Sequence, residues 1–238
     1  MIPRQHRVST LWASLLLMCA LPASAAVVSD DFNDNDLNEG LFTLGTLGTG
    51  PELEEREQRL EVRLPATSSG EDFFYGVTTR PLFRGDLDAQ VDFQMLDYPP
   101  ANGVRLGIII QGPEGGPTAL QRTSFSEREL SAGPREGYLL HSGDELEQHP
   151  SEDLAGKLRL TRVGTTVTGY FWDAATEAWV PFASLPGTDT NVHISLAVWS
   201  HDRAFADQDV RVAFDNFVVN SGQVVGAVLP DLAGRWLQ

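Results

Sequence analysis

The chain is expected to fold as an all-β jelly-roll sandwich of two curved antiparallel sheets. Three observations predict this. Apolar residues alternate with polar ones over many short runs, Gly, Pro, Asn and Asp clusters separate those runs, and helical periodicity is nearly absent. The run Leu87-Asp88-Ala89-Gln90-Val91-Asp92-Phe93-Gln94-Met95 puts five apolar side chains on one face and four polar ones on the other. Lys157 to Thr161 repeats the pattern, as do Leu60 to Leu64 and Val192 to Trp199. Gly164 lies in a turn between two such runs, and Asp173-Ala174-Ala175-Thr176 links Tyr170-Phe171-Trp172 to Trp179-Val180. Pro99-Pro100-Ala101-Asn102-Gly103 closes one strand, and Gly112 to Pro117 reads as a surface loop. About a dozen strands emerge on this reading. The one helical candidate is Glu52 to Arg59, with Pro51 before it, although its end merges into the alternation of Leu60 to Leu64.

Three segments follow from the two ends. Residues 1–25 read as a secretory signal peptide: Arg4, His6 and Arg7 precede an apolar run from Leu11 to Leu21, and Ala23 and Ala25 form an A-x-A cleavage site before Ala26. Cys19 is the only cysteine, and Met18 stands where a lipoprotein signal requires a small residue, which weighs against acylation. Cleavage therefore leaves an exported, periplasmic or extracellular chain without a thiol, whose stability rests on a large core or on bound ions. Residues 26–222 make one β-sandwich domain, and 223–238 form an apolar C-terminal tail or extra strand, too short at Val224 to Leu229 to span a membrane.

Charge narrows the partners. The chain carries 17 Lys+Arg against 33 Asp+Glu; without Arg4 and Arg7 this becomes 15 against 33, a net charge of −18. Such a surface repels nucleic acid and anionic membranes and favours cations.

Ser29-Asp30-Asp31-Phe32-Asn33-Asp34, Arg59-Leu60-Glu61-Val62, Gly156 to Arg162 followed by Thr166 to Tyr170, and the closing Val212-Ala213-Phe214-Asp215-Asn216-Phe217-Val218-Val219 together resemble the concanavalin A-like lectin and glucanase superfamily, in its laminin G-like secreted bacterial form. The likeness covers roughly residues 28 to 222, in layout and short phrases. It implies that the first and last strands pair, bringing Asp31 and Asp215 together, and that a structural calcium is held between them. The residues alone give less: an EF-hand loop begun at Asp31 fails, because Asp36 replaces the glycine and Phe42 the bidentate glutamate. Asp30, Asp31, Asn33, Asp34, Asn35 and Asp36 equally suit a run of turns. Asp202, Asp207 and Asp209 form a second, weaker acidic loop.

The superfamily hosts lectins, hydrolases, lyases and adhesive modules. The glucanase pattern E-x-D-x-x-E, which sets alternate carboxylates on one strand face, occurs nowhere in the chain. Alginate-lyase-like strand motifs do not appear either. Asp144, Glu145, Glu147, Glu152 and Asp153 flank Pro150 and read as a solvated loop, and the scattered histidines, without a G-x-S-x-G elbow, give no nucleophilic centre. Arg105, Arg122, Tyr138, Trp199, His201 and Arg203 stand at strand positions that could project from a sheet face, where aromatic rings and guanidinium groups suit sugars. The same aromatics would equally serve as core, and the arginines as local ion-pair partners. The sequence thus favours a non-catalytic binding module for carbohydrate or another extracellular ligand, with calcium as a structural ion. The alternatives are a divergent hydrolase or lyase whose acids come from separate strands, and an adhesive protein using the tail as its contact.

Overall fold

A computed structural model describes residues 27–67, 72–113, 116–125, 135–201, 205 and 207–226. The signal segment, Asp202, Arg203 and the chain beyond 226 lie outside these residues. Fifteen strands run in chain order: β1 (Val28–Asp30), β2 (Phe42–Leu47), β3 (Glu52–Arg56), β4 (Arg59–Leu64), β5 (Phe73–Thr79), β6 (Leu82–Asp97), β7 (Arg105–Gln111), β8 (Thr118–Ser124), β9 (Glu136–Ser142), β10 (Glu145–Pro150), β11 (Ala155–Val163), β12 (Thr166–Asp173), β13 (Ala178–Pro186), β14 (His193–Ser200) and β15 (Val210–Val225).

They form two antiparallel sheets. One has the order β13-β12-β11-β6-β15-β4-β3, with β1 also on β15; the other has the order β10-β9-β8-β7-β14-β5-β2. The terminal strands do pair, Val28 opposite Val219 and Asp30 opposite Phe217. The core lies between the sheets. Leu87, Ala89, Val91, Phe93 and Met95 of β6 are all buried in it, while Asp88, Gln90 and Asp92 face outward. Burial of aliphatic surface at this density contributes roughly 1.5–3 kcal/mol per large side chain, which suffices for a domain without disulfides.

Two sequence expectations change. Glu52 to Arg59 is a β-hairpin rather than a helix: β3 pairs with β4, and Glu57 and Gln58 turn with φ of 51° and 61°. The cross-strand pair Leu53–Val62 decides it, because a strand lets Leu53 follow its neighbour toward the core. The segment Glu145 to Pro150, expected as a loop, is the edge strand β10, exposed enough to keep its carboxylates in water. Among the described residues there is no α-helix and thus none long and apolar enough to cross a membrane. The tail begins inside the fold, since Gln223, Val224 and Val225 still pair with Arg84, Phe83 and Leu82.

The seven-stranded sheet differs from its partner in having central strands that are buried on both faces, between exposed edge strands. Every residue of β7, β8 and β14 is buried. Their alternate residues Leu106, Ile108, Leu120, Ile194, Leu196 and Val198 join the core, whereas Ile109, Ala119, Ala197 and Trp199 pack with Phe74 in a second cluster on the opposite face. Gly76 and Gly107 lie on that opposite face too, one strand removed from each other across Ala197. A Cβ on either would meet the carbonyl oxygen of Leu196 or Leu120 at 2.3 Å, so neighbouring strands approach there as only glycine permits.

Candidate functional site

The opposite face of this sheet carries a cleft of about 660 Å³. Strand register builds its floor. Reading across β8, β7, β14 and β5, Thr123 stands opposite Arg105, Arg105 opposite Trp199, and Trp199 opposite Phe74. The next row runs Gln121, Gly107, Ala197 and Gly76. The two glycines and the alanine lower the middle of the floor between Gln121 and the aromatic row. His141, Leu139, Leu146, Phe125 and His201 supply the walls, and Asp72 and Asp144 stand at the rim.

Polar capacity on this floor is incompletely used. Gln121 is 5% exposed and Thr123 1% exposed, yet Gln121 Oε1 and Thr123 Oγ1 have no hydrogen-bond partner. A buried acceptor left unmade costs about 1–3 kcal/mol, and such groups mark a surface prepared for a ligand or ordered water. The Arg105 guanidinium lies 5.1 Å from the centre of the Phe125 ring. Burial pulls His201 below the ordinary imidazole range, and the Arg105 charge pulls it further, against Asp72. Burial also lowers His141; a Gly143 backbone bond opposes this and Arg105 reinforces it. Both imidazoles are consequently neutral near pH 7, able to donate and accept.

The site residues expected from sequence divide. Arg105, Trp199 and His201 meet in the cleft. Arg122 and Tyr138 do not: they are neighbours of Gln121 and Leu139 and so point the other way, into the sandwich. Tyr138 is 1% exposed, stacks on Phe171 at 4.9 Å, and donates its hydroxyl to Asp153 Oδ2 at 2.8 Å. Arg122, also 1% exposed, donates to the Asp153 carbonyl at 3.1 Å, to the Thr123 carbonyl and to Glu136 at 2.9 Å. They are core and buried ion pair, because strand alternation reserves the opposite parity for the cleft. Gln121, Thr123 and His141 are the residues that sequence reasoning did not select.

Among the described residues no carboxylate stands on the floor. Cleft-facing positions of the three central strands are Arg105, Gly107, Ile109 and Gln111, then Ala119, Gln121 and Thr123, then His193, Ser195, Ala197 and Trp199. Asp72 and Asp144 belong to opposite ends of the strands. They are also four strand spacings apart, on the order of 19 Å along the sheet, well beyond the roughly 5–10 Å of a glycosidase pair.

Asp31 and Asp215 do come to one neighbourhood, at the outer face of the other sheet. Burial and then the charges of Asp92 and Asp31 raise Asp215, opposed by the Asn216 N–H and Lys157. Much of this set is already satisfied: Asp31 caps Asn33, Asp215 caps Asn216 at 2.7 Å, and Asp92 pairs with Lys157 at 2.9 Å. Asp209 caps Ala66 at 2.9 Å. Among the described residues no three Asp, Glu or His side chains surround one point as a ready metal cage.

This two-sheet arrangement with a cleft on one sheet has the jelly-roll fold of the superfamily that the sequence resembles. Solved structures bear the fold out. A β-1,3-glucanase from Mycobacterium marinum superposes with a TM-score of 0.60 at 10% identity, covering 82% of this chain and 98% of that one. An immunostimulatory antigen and pseudo β-1,3-glucanase of Mycobacterium tuberculosis gives 0.59 at 12% identity, with 83% and 99% covered. A Bauhinia forficata lectin in complex with GalNAc gives 0.54 at 11%, with 81% and 97% covered. No family model and no curated protein matches the sequence.

Proposed function

We propose that this protein is an exported, non-catalytic module that binds glycan in the cleft of the seven-stranded sheet. The observation that carries the reading is the composition of the floor: hydrogen-bonding side chains, an aromatic row and unpartnered buried acceptors, with no carboxylate pair at glycosidase spacing among the described residues. Sugar hydroxyls complement Gln121 Oε1, and the Trp199 and Phe125 rings offer apolar surface to sugar C–H groups. Neighbours of the same fold that include a lectin in complex with GalNAc and a β-1,3-glucanase support glycan recognition, with and without chemistry. The apolar segment within residues 1–25 supports export.

Affinity electrophoresis against β-1,3-glucan, GalNAc-bearing mucin glycans and uncharged plant polysaccharides, run beside a reducing-end assay, tests both halves. Retardation by at least one polymer without release of reducing ends is expected. Retardation by none, or reducing ends produced above the buffer control, contradicts the reading.

A further inference from the structure

The outer face of the eight-stranded sheet gathers arginines at one corner, where β3, β4 and β15 run side by side. In β4, Leu60, Val62 and Leu64 enter the core, so Arg59, Glu61 and Arg63 take the outward parity. Register sets Arg56 of β3 opposite Arg59, and Arg211 of β15 opposite Arg63. Four of the chain's 17 Lys and Arg residues thus share one patch of a protein whose net charge is −16. Glu61 lies at the centre, its side chain fully buried. Arg56 Nη2 donates to its Oε1 at 2.7 Å, Arg211 donates Nε to Oε1 at 2.9 Å and Nη2 to Oε2 at 3.2 Å, and Arg59 Nε stands 3.5 Å from Oε2. Burial acts to raise the Glu61 pKa, but the bonds and charges of Arg211 and Arg56 override it and bring it down to about 2, so this carboxylate is ionised near pH 7.

Three guanidinium groups around one carboxylate leave positive charge over. The acids that meet it from outside are loosely held: Glu54 bonds Arg56 at 2.5 Å with a side chain 52% exposed, and Glu57 bonds Arg59 at 2.7 Å with one 68% exposed. Ion pairs of that kind contribute little and yield to a competing anion. Arg63 has no such pair: among the described residues no carboxylate stands at ion-pair distance from it, and its Nε is buried without a hydrogen-bond partner. Glu52 and Asp97 end its row, opposite Arg63 and Arg211, and both are exposed. Like charges directly opposite on neighbouring strands destabilise a sheet, and Arg63 and Arg211 are such a pair. An anion between them reverses the sign.

We propose that Arg63 and Arg211 bind a sulfate-type oxyanion on this corner, with Arg56 and Arg59 as flanking charge. Two forked guanidinium groups supply the paired donors that such a group accepts. Arg211 gives Nε and Nη2 to Glu61 and keeps Nη1 for the ligand. Glu61 is the inner anchor that holds Arg211 and Arg56 in place before the ligand arrives. The oxyanion is either free or an ester on a polymer chain. The site lies on the other sheet from the cleft and stands whether or not glycan binds there.

Isothermal titration with sodium sulfate in low-salt buffer, and affinity electrophoresis through dextran sulfate and through plain dextran, test this on the purified protein. Heat from sulfate, or retardation by dextran sulfate well beyond that by dextran, is expected. Heat identifies the free ion as a ligand, and retardation without heat identifies the polymer-borne ester. Arg63→Gln should weaken the response about tenfold. Its melting temperature should stay at the wild-type value, because that side chain carries no ion pair. Lys157→Gln, on the same face beside Asp92, should keep the response. No response in the wild type, or one that survives Arg63→Gln, overturns the proposal. Equal retardation by both polymers without sulfate heat also overturns it, and leaves the cleft reading intact.

Discussion

Arg122→Met is expected to lower unfolding free energy by about 3 kcal/mol while leaving glycan affinity unchanged at temperatures where the variant is folded. The guanidinium is buried and makes three contacts, to the Asp153 and Thr123 carbonyls and to the Glu136 carboxylate. Methionine fills much of the same volume but supplies no donor. Glu136 would keep the Ala101 N–H and the Ser124 hydroxyl, and its partial exposure limits the penalty to the lower end of the range for broken buried pairs. Adding Glu136→Gln should recover part of the loss, since the stranded charge is then gone. Urea unfolding of the two single variants and the double variant measures this cycle. Arg122→Met with wild-type stability and lost glycan binding would place that side chain in the cleft, contrary to its position here.

Gln121→Leu moves the two observables in opposite directions. Its Oε1 is an orphan acceptor in the free protein, so removing the amide should raise stability, by about 1 kcal/mol. The same change should weaken glycan binding roughly tenfold, the equivalent of about 1.4 kcal/mol, because a sugar hydroxyl would lose its partner. Denaturation and affinity electrophoresis on one preparation give both values. A stability gain without a binding loss would mean that Gln121 is a packing fault and no part of a site.

These neighbours also show where sequence reading reached its limit. The alternation of Leu87 to Met95 is legible because one face of β6 meets the core and the other water, so polarity reports direction. Strands β7, β8 and β14 are buried on both faces, and polarity no longer does so. In Leu120-Gln121-Arg122-Thr123 the charged residue drew attention as a ligand contact, yet it is Arg122 that turns inward to a buried pair and Gln121 that faces the cleft. Tyr138 fell to the same ambiguity in Gly137-Tyr138-Leu139-Leu140-His141. Arg105 and Trp199 were legible because they share a parity that the structure places side by side.

Glycan seated in the cleft of the seven-stranded sheet would leave its footprint on that sheet alone. Methyl-resolved NMR titration with the polysaccharide that retards the protein most tests it directly. Ala119, Ala197 and Ile109 line or underlie the cleft, whereas Ala213 lies opposite Glu61 on the other sheet. Shifts concentrated on the first three methyls, with Ala213 unmoved, are the predicted result. Shifts centred on Ala213 or spread evenly over both sheets would contradict it.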